Sequence, residues 1–254
     1  MKTKRKIKLI IASIMVLAGI FVLLFPTISE AYYKKNVEHQ KESFVKKMDI
    51  AAVQNYATAK PHTQSTPGET MQNGFDSDAL YQFLMAENKR LYEAGQKDLK
   101  DAFSYEVAGI DLSQFGIEDN VIGYIHLPSI NMELPIYLGA NKANMRKGAV
   151  HLTQTSYPIG GENTNCVIAA HRGSSLVMFR NIHKINAGDS IFITNFKEIL
   201  TYRVVELKII SPNDIEKILI QTGRDLVTLV SCNPLGANYE RYLVYCERAQ
   251  DGSL

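Results

Sequence analysis

Three side chains in the C-terminal half of the chain could together carry out acyl chemistry: His171, Cys232 and Arg241. A thiolate is an attacking group, and an imidazole within reach can take its proton or return one. The same imidazole can protonate a departing amine. A guanidinium offers two parallel N–H donors, enough to orient a peptide carbonyl and to stabilise an oxyanion developing on it. Cys232 ends the run Thr228-Leu229-Val230-Ser231 and is followed by the turn formers Asn233-Pro234-Leu235-Gly236-Ala237-Asn238. Arg241 opens the next apolar run, so pairing of the two runs would set Cys232 and Arg241 opposite each other at the mouth of one hairpin. His171 ends the apolar run Cys166 to Ala170 and precedes Arg172-Gly173. Reactive groups at strand ends are what a rigid site on a barrel rim needs.

The remaining cysteines and histidines read differently. Cys246 lies five positions after Arg241 and Cys166 five before His171, so strand alternation turns both to the opposite face. They read as small buried hydrophobes. Among the other histidines (His39, His62, His126, His151, His183), His151 is the rival to His171 because it precedes a polar turn. No CxxC, HExxH or cluster of ligand types occurs, so no metal or other cofactor is expected.

These residues must be positioned by the elements around them. From about residue 104, short β-branched and aromatic runs recur between turn signals. They are Val121–Ile125, Leu134–Tyr137, Cys166–Ala170, Ser190–Thr194, Tyr202–Leu207, Leu226–Val230 and Tyr242–Tyr245. Seven or eight strands in this length predict a mainly β fold closed, or nearly closed, into a barrel. Upstream, residues 32–60 contain no Gly or Pro and read as a helix that acts as a spacer. Pro61 to Gly68 is a loop by composition. A further helix starts at Asp76 or Ser77, carries Leu80, Phe83, Leu84 and Leu91 as one apolar stripe, and stops at Gly95.

The N-terminus speaks of a membrane. Leu9 to Phe25 is 17 residues without a charge, about 25 Å of helix, which is near the lower limit for a span. Pro26 is expected to close it. Lys2, Lys4, Arg5, Lys6 and Lys8 precede the run and hold that end in the cytoplasm, which puts the rest of the chain outside the cell. An uncleaved single-pass anchor is the favoured reading, and a signal peptide cut near Ser29-Glu30-Ala31 the alternative. The tail Gln250 to Leu254 is polar, so no second span is expected. The parts are then an anchor over 1–31, a helical region over 32–103 and a barrel over 104–254. The chain has 28 basic and 26 acidic residues. Setting aside the five basic ones at the start leaves 23 against 26, a net −3 that argues against a nucleic-acid partner. Three cysteines exclude a disulfide framework.

Residues 228–241, TLVSCNPLGANYER, resemble the signature T-L-x-T-C, a short loop and an arginine found in sortases, the membrane-anchored cysteine transpeptidases of Gram-positive bacteria. Ala170-His171-Arg172-Gly173 resembles the histidine motif of their pilus-assembling class C branch. Gly123-Tyr124-Ile125 with Leu127-Pro128, Leu134 to Tyr137, Gly148 to Leu152 and Thr155 to Gly161 are similar to segments of the same branch, in the same order. The resemblance covers residues 76–249. It implies an eight-stranded sortase β-barrel with Cys232 as nucleophile, His171 as acid or base, and Arg241 as substrate and oxyanion ligand. The implied reaction cleaves an LPXTG-type sorting signal between Thr and Gly and passes the acyl group to an amine, a pilin lysine in the pilus branch. By the same resemblance residues 99–105 form a lid, with Asp101 reaching Arg241 and Phe103 covering Cys232.

Three departures accompany the resemblance. Ser231 replaces a Thr, and no hydrophobic segment follows the barrel. Ala102 stands where the lid motif has Pro, which frees φ and implies a looser lid. The competing readings are a sortase that anchors proteins to the cell wall through a precursor amine, a membrane-tethered cysteine peptidase, and a tethered barrel that only binds a partner.

Overall fold

The computed structural model describes residues 2–47, 75–97, 99–104, 110–173 and 178–249. The loop expected at Pro61–Gly68, the end of the expected 32–60 helix and the tail from Gln250 lie outside them. Eight strands close into a barrel. They are β1 (Val121–Leu127), β2 (Met132–Leu138), β3 (Ala149–His151), β4 (Thr164–Ala169), β5 (Ser190–Thr194), β6 (Ile199–Ile210), β7 (Asp225–Asn233) and β8 (Glu240–Arg248). The order around the barrel is β1-β2-β3-β4-β7-β8-β6-β5. Two of the pairings, β2 with β3 and β4 with β7, are parallel. Closure leaves no free edge among these strands. Strand β3 was not among the runs read from the sequence; three residues are too few to show an alternation.

The core is fully buried, with Tyr124, Ile125, Leu127, Leu134, Ile136, Val167, Ile168, Leu229 and Leu243 at or below 1% exposure. Gly123 is required in β1. A Cβ there would lie 2.6 Å from the Thr194 carbonyl oxygen of β5, a backbone atom that cannot step aside.

Helix α1 runs without interruption from Lys2 to Lys47. Pro26 therefore does not close it, and the helix passes straight through residue 31. Proline removes only one ladder bond, and apolar spans tolerate it when neighbouring groups re-satisfy the backbone. One stretch of α1 is apolar enough to cross a membrane, and its best window has mean hydropathy 2.5 with none of its residues buried. Outside that window α1 is more than a spacer. Val37 and Phe44 are buried, the Phe44 ring meets Tyr124 edge-on at 5.2 Å, Tyr33 donates to the Lys147 carbonyl at 2.8 Å, and Lys41 pairs with Glu133. Tyr33, Val37 and Phe44 fall on one helical face, a stripe hidden in the sequence by its polar surroundings.

Helix α2 (Ser77–Ala94) starts and stops where the sequence signals it. Asp76 caps it by accepting from Ala79 N, and Gly95 ends it in the left-handed conformation at φ 69°. Leu80, Leu84 and Leu91 are buried, and Phe83 packs on Phe115 at 5.4 Å.

Candidate active site

Cys232 is the penultimate residue of β7 and Arg241 the second of β8, and they are direct cross-strand partners. Their side chains therefore share one face of the sheet. His171 sits two residues beyond β4, which pairs with β7 in parallel, Ala169 beside Val230. Continuing that register by two positions sets His171 level with Cys232. Backbone and side-chain bonds enforce the continuation: Ala170 N donates to the Val230 carbonyl at 3.2 Å, and the Ser231 hydroxyl donates to the Ala170 carbonyl at 3.1 Å. The fold thus brings His171, Cys232 and Arg241 to one level on three adjacent strand ends. Ser231 is fully buried, and its hydroxyl makes this tie without the methyl group of a threonine.

The segment before the barrel reaches the same place. Asp101 accepts from Arg241 twice, Nε to Oδ1 at 2.7 Å and Nη2 to Oδ2 at 2.8 Å. Arg241 also donates to the Asn238 and Glu240 carbonyls. With its side chain only 7% exposed and that of Asp101 22%, this is a two-pronged charge-assisted pair. The Phe103 ring stands 4.9 Å from the Arg241 guanidinium and 6.0 Å from the His171 ring. The Asp101–Ser104 turn forms without proline. Its backbone bond runs from Ser104 N to the Asp101 carbonyl, and the Asp101 carboxylate also accepts from Phe103 N. The aspartate itself supplies the local restraint.

Burial sets the electrostatics. It pushes the Cys232 thiol above its ordinary range; Arg241 opposes this, Asp101 reinforces it, and Arg172 opposes it. Burial holds the His171 imidazole below its ordinary range. Both shifts favour the uncharged forms, thiol and imidazole, at neutral pH. Replacing Asp101 with Ala removes one cause of the raised thiol and frees the turn that holds Phe103. Alkylation of Cys232 by iodoacetamide at neutral pH is therefore expected to quicken about tenfold, read by intact mass against time. An unchanged rate would mean that this segment does not guard the sulfur.

His151, the rival histidine, ends β3 in the core with no exposure. Its Nε2 lies 3.0 Å from the Ser156 carbonyl, and burial lowers it to about 4. Cys166 and Cys246 are free and buried, and both stand beside Val227, five residues down β7 from Cys232. Burial drives both thiols far up. Sequence reasoning passed over Arg172 and Asn233. Arg172 Nη1 donates to Asn233 Oδ1 at 2.7 Å and reaches the Cys232 carbonyl at 3.5 Å. The only signal for it was its place beside His171.

A closed eight-stranded barrel with cysteine, histidine and arginine at the ends of adjacent strands defines a class. The sortase-domain family model matches residues 125–249. Sortase D of Bacillus subtilis (strain 168) is 30% identical over 129 residues, which are 50% of this chain and 63% of that protein. The Streptococcus agalactiae sortase C1 structure in complex with MTSET superposes with a TM-score of 0.61 at 32% identity, covering 68% of this chain and 89% of that one. The pilus-related sortase C of group B Streptococcus gives 0.57 at 33% identity, covering 67% and 91%. The chain belongs to the sortase family. It spans between 54% and 63% of the length of the first curated sortases it matches.

Proposed function

We propose that this sortase is a membrane-anchored cysteine transpeptidase with its barrel outside the cell, and that it joins an LPXTG-type sorting signal to a pilin lysine. The observation that carries the reading is the level row of Cys232, His171 and Arg241, with Asp101 and Phe103 placed on it. Likeness to pilus-related sortase C structures supports the choice of acceptor.

The steps follow from these groups. Asp101 and Phe103 act as a lid and must leave, because the sorting signal needs the guanidinium that Asp101 holds. The Cys232 proton passes to His171, and sulfur attacks the Thr carbonyl carbon. The oxyanion that forms is met by Arg241. The C–N bond to Gly breaks, His171 returns the proton to the departing amine, and a thioester remains on Cys232. The lysine Nζ attacks that thioester and gives up a proton to His171. The C–S bond then breaks and an amide is left.

The pH profile follows from the two shifts. The competent pair carries one proton, on sulfur or on nitrogen. Acid adds a second proton to the imidazole, and burial has lowered that step. Alkali removes the last one from the thiol, and burial has raised that step. The bell-shaped rate profile is expected to extend below about 6.5 on its acid side and above about 8.5 on its alkaline side, the ordinary values for His and Cys. Asp101→Ala should pull in the alkaline limb. Initial rates across pH check both statements.

The acceptor is tested directly. The full chain in detergent is given a labelled LPXTG-type peptide, with a lysine-bearing pilin and a cell-wall precursor amine in competition. A peptide linked to the pilin lysine is expected. Exclusive capture by the wall amine would assign the enzyme to anchoring, and hydrolysis alone to peptidase activity.

A further inference from the structure

Cys232 has a second guanidinium near it, and that one belongs to the residue after His171. Arg172 Nη1 holds the Asn233 side-chain oxygen at 2.7 Å and approaches the Cys232 carbonyl. Its guanidinium lies 5.3 Å from the Tyr242 ring centre. Asn233 is fixed in turn, donating from Nδ2 to Glu240 at 2.6 Å. On the other side of His171, Ala170 accepts from Ser231. The two neighbours of the histidine are therefore tied to the two neighbours of the cysteine, 170 to 231 and 172 to 233. Gly173 continues the contact, since a Cβ there would meet the Gly236 backbone at 3.1 Å.

We propose that Arg172 is a positioning residue that clamps the His171 loop to the end of β7 through Asn233 and so sets the imidazole at the reach of the Cys232 sulfur. Arg241, by contrast, faces the substrate. The distinction rests on the transpeptidase reading above. A proton-transfer partner displaced by about 1 Å costs on the order of a hundredfold in rate, whereas sites for the peptide itself are untouched. The charge of Arg172 has a separate effect, because it favours the thiolate.

The full chain is compared with Arg172→Ala, Arg172→Lys and Asn233→Ala in two measurements: transfer kinetics with an LPXTG-type peptide and a lysine amine, and the pH dependence of Cys232 alkylation by iodoacetamide. Arg172→Ala is expected to lower kcat about 10- to 100-fold with KM within about twofold, and to raise the alkylation midpoint, because Arg172 opposes the upward shift of the thiol. Arg172→Lys should recover the midpoint but little of kcat, because an ammonium lacks the planar fork. Asn233→Ala should reproduce the loss of kcat. Thermal unfolding gives the folded fraction of each variant. A kcat for Arg172→Ala within about twofold of the parent, or a fall matched by an equal loss of folded protein, overturns the proposal. A parent chain that makes no amine product sinks the transfer reading, whereas a parent that does, with Arg172→Ala transferring as fast, sinks the clamp alone.

Discussion

Cys232→Ala is expected to form no covalent adduct with a sorting-signal peptide and to lose transfer by at least about 10⁴-fold, as nucleophile removal does elsewhere. No other thiol can take over. Cys166 and Cys246 stand five residues from the rim, turned to the opposite face and buried among apolar neighbours that strongly disfavour a thiolate. The variant should fold normally, because Cys232 is only half-buried and its side chain makes no hydrogen bond among the described residues. Matching thermal midpoints with no adduct by intact mass would locate the loss in the chemistry. Retained transfer would leave the barrel as a binding module and remove the enzyme reading altogether.

Arg241→Ala is expected to lower kcat/KM about 10²- to 10³-fold, the usual cost of a missing oxyanion donor. The mechanism has a signature. Removing Arg241 also releases Asp101, whose two bonds to it hold the turn over the site, so reagents should enter freely while transfer is lost. Asp101→Ala opens the same turn and keeps Arg241, so its transfer should survive. Adding Asp101→Ala to Arg241→Ala should change transfer little, because Asp101 then has no guanidinium left to hold. Arg241→Lys should remain impaired, since an ammonium cannot offer the planar fork that meets both carboxylate oxygens here. Steady-state kinetics and alkylation rates on the four variants decide it. Arg241→Ala transferring at the parent rate would contradict its placement at the oxyanion.

Much of this site was legible before any coordinates. Strand ends are visible as apolar runs that stop at turn formers, and Cys232 and Arg241 both sit at such boundaries, so their pairing followed once the two runs were read as a hairpin. His171 was harder, because its neighbour across the sheet lies about sixty residues away, and parallel pairing of β4 with β7 leaves no local mark in the sequence. The resemblance to sortases supplied that link. Asp101 also came from the resemblance alone; a lone aspartate in a connector carries no pattern. Arg172 and Asn233 were passed over for the same reason, since a clamp between a loop side chain and the last residue of a strand depends on register that only the folded sheet fixes. Pro26 misled in the opposite direction. Proline is a reliable helix breaker in water, but α1 continues through it, with its apolar stretch unburied. The polar stretch after it hid a packing stripe of Tyr33, Val37 and Phe44, because one apolar residue per turn is enough to dock a helix when the partner surface is already formed.

The most direct test is to hold the full chain with an LPXTG-type peptide, quench in acid before an amine is added, and map the adduct by peptide mass. The expected result is a thioester on Cys232, carrying the peptide up to its Thr, that disappears on addition of a lysine amine as the amide product rises in equal amount. An adduct on another residue, or product forming at full rate with Cys232 unmodified, would contradict a catalytic thiol at this rim.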